Sequence, residues 1–159
     1  MSLFFNDEPE EVTSQTPNMT LTLERALGNA FVNALQAEMG SALVVTHAEN
    51  FDKIALPACF VRVTREEESI VNSAIFRCTV DVSLLVQADD ANSDIQESLW
   101  SEILCVTHDI FGLRDKLNAV RPQYAYVCGI LRDGAVTQTT NERHFERSVS
   151  ITVHAALVS

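Results

Sequence analysis

A chain of 159 residues with 22 acidic against 11 basic side chains carries a formal net charge of −11, a surface that repels phosphate. Affinity for nucleic acid comes chiefly from Lys and Arg displacing counterions, so ordinary DNA or RNA binding is excluded, although a channel through which DNA slides without sticking stays compatible. With 47% hydrophobic and 21% charged residues, the chain is long enough to bury one core without disulfide or metal, so no cofactor is expected.

Residues 1–19 read as an acidic arm, with Asp7, Glu8, Glu10 and Glu11 and little to bury, expected to be mobile when unbound. Its exception is the apolar tip Leu3-Phe4-Phe5. Phe4 and Phe5 either tuck loosely onto their own domain or reach a neighbouring subunit. The opening residues do not read as a signal peptide, and no apolar run approaches the ~20 residues of a membrane span, so synthesis in a reducing cytoplasm is expected.

Residues 20–159 read as one domain. Leu23, Leu27, Ala30, Phe31, Ala34 and Leu35 recur at helical spacing, predicting a helix over 22–39 that Gly40 stops. A short strand is predicted over 42–47 and another over 55–64, with Pro57 marking its beginning. Arg65-Glu66-Glu67-Glu68-Ser69 reads as a charged, exposed loop. The clearest strand covers 75–87, where Phe76, Cys78, Val80, Val82, Leu84 and Val86 fall on one face and mostly polar residues on the other. One buried and one wet face argue for an antiparallel sheet covered on one side.

Ser93-Asp94-Ile95-Gln96 fits a capping box and opens a second helix. Its stripe is Ile95, Leu99, Ile103, Val106 and Ile110, widened by Trp100, Leu104 and Phe111, and Gly112 is expected to end it before a weak third helix over 113–119. Strands are predicted over 124–131 and 145–157, with Asp133-Gly134 as a hairpin turn. The predicted class is therefore α+β, with two main helices packed on one face of a mostly antiparallel, mixed sheet of about five strands.

Signatures for chemistry are absent: no phosphate-cradling glycine motif and no nucleophile elbow. Cys59, Cys78, Cys105 and Cys128 read as reduced, buried thiols acting as small hydrophobes. Cys105 and His108 stand three apart on a helix, but zinc would need two more ligands, and the alternative is a buried thiol beside a surface histidine. What remains is surface. Arg65, Glu66, Glu67 and Glu68 form one candidate contact. Arg143, His144 and Glu146, leading into the last strand, form either a second contact or an edge guarded against aggregation.

The order of elements resembles a family. It is carried by Leu56-Pro57-Ala58-Cys59-Phe60-Val61, by the alternating strand that ends at Asp89-Asp90, and by the arginine-containing last strand Glu142–Val153. Over residues 20–159 this looks like the tail terminator, or tail completion, proteins of long-tailed bacteriophages; the acidic arm is no part of the pattern. The resemblance implies a structural virion protein rather than an enzyme, in a homo-oligomeric ring, usually a hexamer. Such a ring caps the tail tube, contacts the tail tube protein and docks to a neck or head-completion protein. Other readings are a head–tail connector (neck) protein of similar fold, a non-viral interaction or ligand-binding module, and an enzyme whose site has no recognisable motif.

Overall fold

The computed structural model describes residues 22–69, 75–90, 93–119, 125–131, 136–140 and 144–157. Helix α1 spans Leu23–Met39. Its N-cap is Thr22, whose hydroxyl accepts a hydrogen bond from Arg25 N (3.1 Å), the arrangement that satisfies an orphan donor of the first turn. Gly40, at φ 58°, ends it in a conformation that costs glycine no Cβ clash. The side chain of Gln36 then clamps the chain beyond the helix: Nε2 donates to the carbonyls of Gly40 and Leu43, while Oε1 accepts from Val45 N. That clamp sets the start of strand β1, Val44–His47.

Strand β2 is Ala58–Ser69, β3 is Ile75–Gln87, β4 is Ala125–Leu131, β5 is Val136–Thr140 and β6 is His144–Leu157. They form one mixed sheet in the order β1-β2-β3-β6-β4, with β5 also on β6. Only the β1–β2 pair is parallel. Strands β4 and β5 occupy one edge of β6 end to end, Leu131 opposite Thr152 and Val136 opposite Val149. The sheet is thus five strands wide. Asp133-Gly134 lies outside the described residues, but the strands flanking it pair with β6 and not with each other, so they form no hairpin.

Helices α2 (Asp94–His108) and α3 (Ile110–Ala119) join α1 on one sheet face, bearing out the α+β class. The core between them takes Phe31 and Leu27 from α1, Trp100 and Ile103 from α2, and Leu113 and Leu117 from α3. Val80, Val82, Leu84, Val149 and Ile151 meet them from the sheet.

Three sequence expectations change. Arg65–Ser69 is not a loop but the end of β2, because the 13-residue β3 supplies a ladder as far as Ser69. An irregularity between Arg65 and Ser69 takes up the acidic run, and Arg77 on β3 meets Glu66 at 3.5 Å. Strand length is here set by the partner strand rather than by apolar content. Secondly, Ile95 is 73% exposed; the expected Leu99, Trp100, Ile103 and Val106 are buried, joined by Gln96 and Thr107. Ser93 caps the helix by accepting from Gln96 N, yet the Gln96 carboxamide is buried with no partner among the described residues, so the reciprocal half of the capping box is not made. Thirdly, Gly112 does not end α2. The helix stops at His108, and Asp109 accepts from Gly112 N (3.1 Å) at the start of α3. A Cβ on Gly112 would collide with the Asp109 carboxylate, so glycine is what lets this side chain fold over the first turn.

Candidate functional site

Parallel neighbours need a crossover between them. The one joining β1 to β2 is a 3-10 turn, Ala48–Lys53, followed by residues 54–57, and it crosses the face opposite the helices. There Ala48, Ile54 and Leu56 pack on Ala58, Phe60 and Leu85 to form a small second core. This face is therefore not uniformly wet, as the alternation in β3 suggests; the crossover roofs one end of it.

Under that roof lies a cavity of about 300 Å³. Phe51 forms one wall, edge-on to Phe60 (5.9 Å between centroids) and to His144 (5.5 Å). The floor is the row Phe60, Ser83 and Ser148, which the register places side by side across β2, β3 and β6. Arg62, Asp81 and Glu146 bring charge to its margins. The serine hydroxyls hydrogen-bond each other at 2.5 Å, and Ser150 donates to Asp81 at 2.5 Å. These bonds tie β3 to β6.

The sequence-proposed contacts separate. His144 and Glu146 line the cavity. Arg65 and Glu66 stand on β2 towards the opposite end of the sheet: Glu146 is opposite Leu85, whereas Arg65 is opposite Cys78. Seven residues of strand, roughly 23 Å, lie between those rows. Arg65 is held by Glu24 on α1 (3.6 Å) and lies over the Phe76 ring. Glu67 and Glu68 continue β2. Phe4, Phe5 and Arg143 lie outside the described residues. Arg62, Asp81, Ser83, Ser148 and Phe51 were not singled out in the sequence, since nothing in it says that β1 and β2 are parallel or that their connection crosses this face.

Burial pushes the Cys59 thiol up to about 12 and the Cys78 thiol up to about 11, so both stay protonated and unreactive. Cys105 is exposed rather than buried, because the stripe of α2 turns its face away from the core. Among the described residues no three of His, Cys, Asp and Glu are grouped to hold a metal. No described helix is long and apolar enough to cross a membrane.

His47 ends β1 beneath α1, where Gly28 admits its ring: a Cβ there would lie 3.2 Å from His47 Cε1. Nε2 donates to Asn29 Oδ1 at 2.9 Å. Burial, with Arg25 second, holds its pKa below the usual 6.5. The folded state thus takes up a proton at lower pH than the unfolded chain. The stability this neutral ring contributes is complete above the unfolded pKa and is lost as pH falls through 6.5 and below. Denaturant midpoints measured between pH 5 and 7.5 are expected to fall on the acid side, and less steeply in His47→Gln; identical slopes would remove His47 from the effect.

Neither a family model nor any curated protein matches this chain.

Proposed function

We propose that the chain is a structural subunit of a virion, a tail terminator that closes into a ring, caps the tail tube and docks to the head or neck. The single observation behind this reading is the asymmetry of the body. Three helices cover one face of the sheet, while the opposite face, rich in serine and threonine and half-buried, carries no helix among the described residues beyond the partial roof of the crossover. The hydrogen bonds and ion pairs among the described residues tie elements of the fold together. A ring needs two different surfaces that meet head to tail and close. The charged end of β2 and the His144–Glu146 end of β6, at opposite ends of one sheet, suit that role. A net charge of −11 suits passage of DNA without adhesion. A neck protein of similar fold would share these features. The cavity roofed by Phe51 favours one other reading, a module that binds a small ligand or a peptide side chain.

Light scattering on the eluting protein tests the proposal. The expected result is a ring-sized oligomer, alone or on adding tail tubes; a strict monomer under both conditions favours the binding module. Changing Glu66, Glu67 and Glu68 to Lys is expected to leave the thermal midpoint within a few degrees and to weaken assembly at least tenfold. Unchanged assembly would take that strand end out of the interface.

A further inference from the structure

Another cavity, of about 230 Å³, opens beside the first turn of α2. Val86, Leu99 and Gln96 form its buried floor, while Pro57 and the exposed Ile95 stand at its mouth and Ser93 completes the wall. The lining is thus mostly apolar, and the polar group that matters is Gln96. That residue is 2% exposed, yet neither atom of its carboxamide has a partner among the described residues. Burying an amide unpaired is costly, and nearly all buried polar groups are paired. Ser93 takes the backbone N–H of Gln96 and not its side chain, so the carboxamide stays open as donor and as acceptor.

This arrangement selects a class of ligand. No charged side chain lines the cavity, and Asp94 and Glu97 already stand in the first turn of α2, where an anion would otherwise be favoured. The complement of a carboxamide is a second amide, whose C=O accepts from Nε2 and whose N–H donates to Oε1. An apolar side chain next to that amide fills the remaining space. A cavity of about 150 Å³ already holds benzene, so this one takes an aromatic ring. A short uncharged peptide stretch that carries an aromatic side chain meets both demands.

The chain supplies one. Leu3-Phe4-Phe5, set between Ser2 and Asn6, is the longest apolar run outside the described residues. Phe4 and Phe5 are two of the three aromatic residues there, and the third, Tyr124, directly precedes β4. The segment joins the fold at Thr22, which shares a cavity wall with Val61–Val63 of β2. From Val63 back to Pro57 the chain covers roughly 20 Å, whereas residues 6–21 span up to about 55 Å when extended. The tip therefore reaches the cavity of its own copy with slack. On such a tether it is present at about millimolar effective concentration, enough to occupy a weak site. Asp7 and Glu8 follow the tip towards Asp94 and Glu97, so apolar burial drives the contact against charge. We propose that Leu3–Phe5 folds back on its own copy, seating one phenylalanine ring against Leu99 and Ile95 with the adjoining backbone amide on the Gln96 carboxamide. This holds whether or not copies assemble, so a monomer in light scattering would sink the ring and leave this docking standing.

The test is methyl NMR on the full chain, with ¹³C-labelled Ile and Leu methyl groups. Nuclear Overhauser contacts from the Phe4 or Phe5 ring to the Ile95 and Leu99 methyls are expected, and should vanish when Phe4→Ser and Phe5→Ser are made together. Their absence from the unaltered chain would overturn the docking. In a mixture of methyl-labelled copies deuterated at phenylalanine with unlabelled copies, the contacts should disappear; contacts that persist there join two copies and overturn docking within one. Gln96→Met keeps the volume and removes the amide, and should lower the docked fraction, read from the Ile95 methyl shift, at least threefold. Ile95→Ser, at an exposed position that the fold does not need, should lower the contacts to Leu99 as strongly. A docked fraction indifferent to both changes, or one that falls as salt is raised, would overturn the assignment.

Discussion

Phe31→Ala is expected to cost the fold about 3–5 kcal/mol, a large share of the roughly 5–15 kcal/mol that holds an ordinary domain together. Phe31 is fully buried at the middle of α1. Its helix presents Ala30 and Ala34 beside it, small residues that already bring the backbone close to the sheet. Little is left to collapse into the space of a lost ring, so the cavity persists and its cost adds to the transfer free energy of the missing atoms. The midpoint of urea unfolding should drop with an unchanged slope. Phe51 is the control. At 39% exposure, over the open face, it touches Phe60 and His144 and supports no helix. Phe51→Ala should cost about 1 kcal/mol or less. Equal losses at the two positions would mean that the helix-covered core does not dominate stability.

Glu97→Ala is expected to destabilise by about 1–3 kcal/mol, more than an exposed ion pair can account for. The reason is where its partner lies. Arg147 sits opposite Leu84 in the β6–β3 ladder, a position in register with the buried face, and its side chain is only 15% exposed. It reaches Glu97 on α2 at 2.5 Å and lies over the Phe145 ring. Removing the carboxylate strands a largely desolvated cation, whose Nε already lacks a partner among the described residues. Arg147→Leu combined with Glu97→Ala should recover most of the loss, because no unpaired charge then remains. A double-mutant cycle with a coupling near zero would show that the pair is fully screened by solvent.

Local pattern was enough for the periodic parts. The stripe Leu23–Leu35 and the alternation Phe76–Val86 each allow one arrangement that hides their apolar face, and both elements appear within a residue of their expected limits. Caps that depend on three or four neighbouring residues, Gly40 and Ser93, were legible for the same reason, whereas Thr22, expected as the first helical residue, is the cap of α1. The α+β class follows from those two periods alone.

Whatever depends on a partner distant in sequence emerged only on folding. Arg65–Ser69 has no apolar content of its own to bury, yet it is strand because β3 is long enough to pair with it. Arg147 lies in a stretch that reads as polar edge and is drawn under α2 by Glu97, fifty residues away. In α2 Gln96 went in and Ile95 came out, against the hydrophobicity of the two side chains. The candidate surface depends most on this level. Parallel pairing of β1 and β2 is a long-range contact invisible in local pattern, and it carries the crossover over the open face and leaves β2 beyond Val61 with no described strand on that edge. Local periodicity reports which side of an element must be hidden; only the assembled chain reports which polar groups remain for a neighbour to use.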